Sequence, residues 1–322
     1  MPERARVAIL ISGTGSNMAA LVYASRAPDS PYEVVLVTGD NPDAPGLALA
    51  QAEGVPVVRL SRPTKATRAD WFANLDRTLR EAEADTVALA GFMRILPADF
   101  VEAWRGKLLN IHPSLLPKHK GLDTHARALE AGDTHGGCSV HLVTPELDSG
   151  EVLGQVPVAI LPDDTPETLA ERVKIAEHQL YPRVLADYVS RYQNAEWIEA
   201  QVHALASRLP EVTRKTSHGS PGWQVGGEKS GKLFAILADR HHGEEAVGLL
   251  VKASGPDEMT GLIEAQPDIY YWPKYYGASG WLALKLNRRE IDWDQVSDWL
   301  ERSWRACAPA RLTKLMRAAD EF

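Results

Sequence analysis

Asn110 and His112 stand two residues apart at the end of an apolar run, "LLNIHPSLLP" (108–117). In an extended segment such residues share a face, and Pro113 removes a backbone donor and ends the ladder. A carboxamide can donate to an oxygen that is turning anionic, and an imidazole can move a proton near neutral pH. Asp148, in "TPELDSG" (144–150), is a carboxylate on a loop that could reach that imidazole and orient it. Taken singly, each is also what a satisfied polar residue at a strand end looks like. Ser114 lies near His112 but has no nucleophile elbow. The trio is therefore expected to act on a nucleophile carried by the substrate rather than to form a covalent intermediate.

A second chemistry-bearing stretch is "SGTGSN" (12–17), between an apolar run and a helical pattern. Glycines there let the backbone turn tightly and point N–H groups outward at a helix N-terminus, which makes an anion site. It is not a dinucleotide fingerprint, because Met18 stands where the third glycine belongs, and no GK[ST] follows. A single phosphate on a small molecule fits best; a plain glycine turn feeding a capped helix is the other reading. His112, His119, His125, His135 and His141 form a loose cluster in sequence. None of them makes an i, i+4 pair around a glutamate and no cysteine pair assists, so no metal is expected. "KHKGLDTHARAL" (118–129) reads as a mobile polar loop running into a helix.

The elements that must hold these groups are short, β-branched apolar runs at 7–10, 33–37, 55–60, 85–90 and 107–111. They alternate with helical patterns at 16–26, 44–54 and 67–84, the last capped by Thr67. This alternation predicts βαβ units around a parallel sheet, with the site beyond the carboxyl ends of the strands. Runs at 137–143 and 150–160 predict an antiparallel addition, and a helix at 165–192, capped by Thr165 with Pro166 in its first turn, closes this part. After about residue 193 the pattern changes to helix, glycine-rich turns (217–232), short strands and a final helix at 293–309, with many aromatics. The expected fold class is α/β with a mostly parallel sheet, plus a second, smaller α+β domain; the expected domains are 1–193 and 194–322.

At 322 residues the chain is long for one core. A net charge of −8 argues against a general binder of nucleic acid or of membrane surfaces. Two distant cysteines, Cys138 and Cys307, fit a reduced, cytoplasmic setting rather than a disulfide framework. The opening "MPERARVAILIS" has too short an apolar run for a signal peptide.

"ILISGTGSN", "LAGFMRIL" (89–96), "LLNIHPSLLP" with "GLDTH", "SVHLVTPELDSG" and "VKIAEHQLYP" (173–182) occur in this order. As a set they resemble the folate-dependent glycinamide ribonucleotide formyltransferases over about residues 5–190. The resemblance implies a Rossmann-like fold and formyl transfer from 10-formyltetrahydrofolate to the amine of 5′-phosphoribosylglycinamide, without a metal. It implies Asn110, His112 and Asp148 as the catalytic trio, with Asp148 favouring the cationic imidazole. It implies Gly15, Ser16 and Asn17 as the phosphate turn, and Lys174 and Glu177 as further contacts to the ribonucleotide. For the folate it implies Arg68, the segment Met93, Arg94, Ile95 and Leu96, together with Asn110, and the 144–148 loop, beginning at Thr144, closing over the pterin.

Two relatives share the trio. Methionyl-tRNA formyltransferase carries a different, basic C-terminal domain. Formyltetrahydrofolate deformylase usually has a second histidine after the catalytic one and an N-terminal regulatory domain; Pro113 and the start at the first strand favour the transferase. From about 196 to 318 the chain resembles the MmcQ/YjbR family, small α+β domains without a settled activity. There Gly219, Gly277 and Gly280 read as turn formers, and Trp281 and Trp299 as core. Residues 195–322 hold 16 basic and 18 acidic side chains, which argues against nucleic acid as a partner. The rival to an enzyme is a formyltransferase-like fold kept as a binding module, with the second domain as a nucleic-acid-binding element; an intact trio and phosphate turn disfavour it. Small-molecule substrates are the expected partners, without a membrane, and the oligomeric state, a homodimer included, stays open.

Overall fold

The computed structural model describes residues 4–62, 64, 66–227 and 230–320. The chain divides into two compact units, one ending at Val189 and the other beginning at Ser190.

The first unit contains β1 (Ala5–Ile11), α1 (Ser16–Ser25), β2 (Tyr32–Gly39), α2 (Pro45–Ala52), β3 (Val57–Arg59), α3 (Arg68–Glu81), β4 (Thr86–Leu89), α4 (Ala98–Ala103), β5 (Leu108–His112), α5 (Thr124–Glu130), β6 (His135–Leu142), β7 (Val152–Ala159) and α6 (Pro166–Ser190). The strands form one sheet in the order β3-β2-β1-β4-β5-β6-β7. Pairing is parallel from β3 to β5 and antiparallel at β5–β6 and β6–β7. This is a Rossmann-like, mostly parallel sheet. β1 reads ARVAILI and is buried almost throughout, because a central parallel strand is covered on both faces. Its odd residues join one core cluster with α1 and α6; Ala8 and Leu10 join the other with α3 and α4. β7 is the edge, tolerates Pro157 and alternates exposed with half-buried residues.

α3 buries Trp71, Phe72, Leu75, Thr78 and Leu79, an i, i+4, i+7, i+8 stripe that fits a surface helix. Thr67 does not cap it: its hydroxyl instead accepts the Thr64 N–H at 3.0 Å. α6 does begin as expected, with Thr165 Oγ1 accepting the Thr168 N–H and Pro166 first in the helix. Its fully buried Tyr181 hydroxyl lies 2.9 Å from Leu109 O and 3.3 Å from Leu89 O, clipping the helix to β5 and β4. Tyr181→Phe is expected to cost about 1–2 kcal/mol of unfolding free energy, since a buried carbonyl loses its hydroxyl partner. Denaturant titration checks this; an unchanged midpoint would show that the hydroxyl contributes nothing.

The second unit contains α7 (Ala195–Ala206), β8 (Val212–Ser217), β9 (Ser220–Val225), β10 (Lys232–Asp239), β11 (Val247–Lys252), α8 (Pro256–Ala265), β12 (Tyr270–Tyr271), β13 (Trp281–Lys285), α9 (Trp293–Cys307) and α10 (Ala310–Asp320). Its sheet runs β12-β13-β11-β10-β9-β8 and is antiparallel throughout. α7, capped by Asn194, and α9, capped by Asp292, bury one face. The glycine-rich stretch 217–232 is not simply turns: 220–225 is β9, and its Trp223 is fully buried. The actual turn is His218-Gly219, both at positive φ (50° and 83°), the backbone a two-residue hairpin needs. Trp281 and Trp299 are core. Gly277 is a close-approach position instead of a positive-φ one, because a Cβ there would sit 1.9 Å from the Trp272 indole nitrogen.

Candidate active site

β5 ends beside two strands of opposite direction, and this junction assembles the site. Leu89 of β4 pairs with Asn110, and on the other side His141 of β6 pairs with Asn110 and Ser139 with His112. Asn110 and His112 share a face, as their spacing predicts. The connection from β6 to β7 folds back over that face and delivers Asp148, whose φ of 47° lies in the left-handed region that aspartate tolerates.

The side chains of His112 and Asp148 are both 7% exposed, with Nδ1 and Oδ2 3.4 Å apart. His112 Nε2 lies 3.0 Å from His119 O, and Asp148 Oδ2 also accepts the Gly121 N–H at 2.9 Å. Both ring nitrogens of His112 thus face acceptors, an arrangement that the imidazolium satisfies. Burial nevertheless dominates and holds the His112 pKa below the ordinary 6.5, against the raising effect of the His119 carbonyl and Asp148. For Asp148, burial opposes the charge, yet the ring edge of His141, the Gly121 N–H and the His112 imidazole together keep its carboxyl below the usual range.

The other histidines separate. His119 turns its ring to Asp133 at 2.8 Å, and Lys118 takes the other oxygen of the same carboxylate at 2.8 Å. Lys120 reaches Ser149 Oγ, and Arg127 reaches Lys120 O. The segment 118–129, expected as a mobile loop, is therefore tied at four points before and within α5. Among the described residues no group of three or more metal-ligating side chains is gathered closely enough to hold an ion. His141 and the backbone groups of His119 and Gly121 are the parts of the site that spacing alone does not reveal, because they depend on strand register and loop path.

The glycine turn leads into α1 with Gly15 in the left-handed region at φ 76°. It packs on the start of α2: a Cβ on Gly46 would sit 2.6 Å from Ile11 Cδ1 and 3.0 Å from Gly13 O. The Gly46 N–H donates to that same Gly13 oxygen at 3.1 Å. Asn17 Nδ2 donates to Glu177 Oε2 at 2.8 Å, and both side chains are buried while Asn17 Oδ1 has no hydrogen-bond partner among the described residues. Burial raises the Glu177 pKa, against the pull of Asn17 and Lys174. Lys174 is exposed one turn earlier on α6.

The segment after β4 is anchored by Phe92, whose ring stacks on Trp71 at 6.3 Å. Met93 and Ile95 are left 67% exposed, and Leu96 turns into the core. Arg68 donates to Ile95 O at 2.9 Å, and Met93 N donates to Ser12 Oγ at 2.8 Å. The segment thus lies against both Arg68 and the glycine turn. The Arg94 Nε donates to Asp40 Oδ2 at 2.6 Å, and the side chain stays partly exposed. Thr144 Oγ1 bonds Glu146 O and shapes the loop that presents Leu147, which is exposed.

A family model described as formyl transferase matches residues 5–185, and one described as YjbR matches 207–306. The chain is 39% identical to the phosphoribosylglycinamide formyltransferase of Escherichia coli (strain K12), over 61% of this chain and 94% of that protein. It is 48% identical to the trifunctional purine biosynthetic protein adenosine-3 of Drosophila melanogaster over 58% of this chain, but spans only 14% of that protein's length. Among solved structures, phosphoribosylglycinamide formyltransferase from Brucella melitensis superposes with a TM-score of 0.56 at 46% identity, covering 58% of this chain and 96% of that one.

Proposed function

The chain belongs to the formyl transferase family, and on that footing we propose that it transfers the formyl group of 10-formyltetrahydrofolate to the amine of 5′-phosphoribosylglycinamide in purine biosynthesis. The observation that carries this reading is the meeting, in one unit, of the Asn110–His112–Asp148 cluster with a glycine turn whose Asn17 is held by Glu177. The ribonucleotide phosphate sits on the N–H groups of Gly15, Ser16 and Asn17 at the start of α1, and its ribose meets Lys174 and Glu177. The folate lies along Arg68, Met93, Ile95 and the backbone of Arg94 and Leu96, with the Thr144–Asp148 loop over its pterin.

The neutral amine attacks the formyl carbon; a C–N bond forms and the carbonyl oxygen takes the electron pair. Asn110 hydrogen-bonds that oxygen, and the His112 Nε2–H adds a second donor by turning to it from the His119 carbonyl it faces in the free protein. The negative charge, together with Asp148, favours the protonated imidazole that burial disfavours in the free protein. Collapse restores the carbonyl and breaks the bond to the folate nitrogen. The proton shed by the amine reaches that nitrogen through Asp148 and water. Alignment of two bound substrates supplies much of the acceleration.

The test follows tetrahydrofolate formation with the phosphorylated acceptor, with its dephosphorylated ribonucleoside, and with none. Turnover only with the first is expected; equal turnover without an acceptor would make the chain a deformylase. The Gly13–Gly46 contact gives a further prediction. Gly46→Ala pushes on the Gly13 carbonyl and is expected to raise KM for the ribonucleotide about tenfold, ~1.4 kcal/mol, with kcat nearly unchanged. An unaltered KM would show that the turn does not hold the phosphate.

A further inference from the structure

His112 and Asp148 are both held by one short stretch of backbone. The His119 carbonyl lies 3.0 Å from His112 Nε2, and two residues on the Gly121 N–H donates to Asp148 Oδ2 at 2.9 Å. His119 sits at φ 53°, in the left-handed region that a residue with a Cβ rarely adopts. Such a conformation persists where surrounding contacts impose it. Here the contacts converge on one carboxylate. Asp133 lies in the turn between α5 and β6, with its own N–H donating to Ala128 O at 3.1 Å. One of its oxygens takes Lys118 Nζ and the other His119 Nε2, each at 2.8 Å. Consecutive side chains of the loop are thus pinned to opposite oxygens of one anchored group. The Lys118 ammonium and the His119 ring hold the Asp133 carboxyl below the usual carboxylate range, so the clamp is charged at neutral pH. Two further ties, Ser114 Oγ to Lys118 O at 2.7 Å and Arg127 to Lys120 O at 2.6 Å, flank residue 119 and do not hold its side chain.

We propose that Asp133 is a positioning residue: by clamping Lys118 and His119 it fixes the 119–121 backbone that aims the His112 ring and holds the Asp148 carboxylate beside it. The proposal rests on the formyl-transfer reading. Asp133 touches no reacting atom. Its loss lets the loop relax from the left-handed turn, and Asp148 then loses the Gly121 N–H that keeps it in place. A small misplacement of such a group is costly, because alignment supplies much of the rate. The same movement takes the His119 carbonyl away from His112, and that carbonyl and Asp148 are the groups that favour the charged ring. The other titratable groups facing the ring, His141 of β6 and His125 and Arg127 of α5, are untouched. The His112 pKa is therefore expected to fall when the clamp is removed.

The experiment measures kcat, KM for both substrates, thermal unfolding and the NMR titration of His112 on the full chain. Asp133→Ala is expected to lower kcat about tenfold, with both KM values within about twofold of the parent. It is also expected to lower the His112 pKa by about half a pH unit, roughly a threefold change in proton affinity. His119→Ala is expected to do the same, and the double variant to cost less than about twofold more than either alone. His119→Gln keeps an N–H near the Nε2 position for Asp133 and is expected to stay within about threefold of the parent in kcat. A folded Asp133→Ala chain in which either kcat or the His112 pKa keeps its parental value would overturn the proposal, as would additive losses in the double variant. Where Asp133→Ala does not fold, the two His119 variants decide: a loss in His119→Ala that is restored in His119→Gln supports the proposal, and equal kcat in the two overturns it. A parent chain that makes no formylated ribonucleotide defeats the functional reading; an active parent with an unmoved His112 pKa in Asp133→Ala defeats only the clamp.

Discussion

Asn110→Ala is expected to lower kcat by about two to three decades, ~2.7–4 kcal/mol of transition-state stabilisation, while the protein stays folded. The amide is a preorganised donor at the point where charge develops, so its loss is felt in the transition state more than in substrate binding. The structural cost is small by comparison. Asn110 is only half-buried at the end of β5, and its side chain contacts His141 rather than the apolar core. Steady-state kinetics beside a thermal melt separate the two effects. A turnover within a few-fold of the parent, at unchanged melting temperature, would remove Asn110 from the chemistry.

Asp148→Asn is the second large effect. Asparagine keeps the shape and can still accept the Gly121 N–H that now binds Oδ2 at 2.9 Å, so the loop should hold its path. The charge is lost, and with it the partner that favours a proton on His112. General acid–base groups of this kind contribute about 10²–10⁴-fold, and kcat is expected to fall within that range. The sign on His112 is fixed by its surroundings. Burial already lowers its pKa, and Asp148 is one of the groups raising it. Removing the carboxylate therefore moves the imidazole pKa further down, and the ring stays neutral to lower pH. An NMR titration of His112 checks this, and a pKa that rises or stays fixed in the variant would contradict the pairing.

Much of the first unit was legible in the sequence because its signals are local. Apolar β-branched runs separated by amphipathic helices mark a parallel sheet, and the strands at 5–11 and 32–39 are buried as such runs must be. Asn110 and His112 fall on one face by strand periodicity alone. What escaped was short or non-local. α4 is six residues long, too short for a helical period to register. β9 carries a proline and a glycine within SPGWQV, so composition reads as turn, whereas antiparallel pairing with β8 and β10 makes it a strand with Trp223 in the core. α8 and α10 likewise lie outside the elements that periodicity suggested. His141 could be placed in a histidine cluster but not opposite Asn110, because that requires the β5–β6 register. The Arg94–Asp40 pair joins residues 54 positions apart, which no sequence spacing reveals.

The most direct measurement of the central claim is to supply the folate with a ¹³C-labelled formyl group and follow the label by NMR in the presence of 5′-phosphoribosylglycinamide. The account predicts that the label appears as a formamide on the ribonucleotide, one for each tetrahydrofolate released. Label accumulating as free formate, at a rate indifferent to the ribonucleotide, would contradict it.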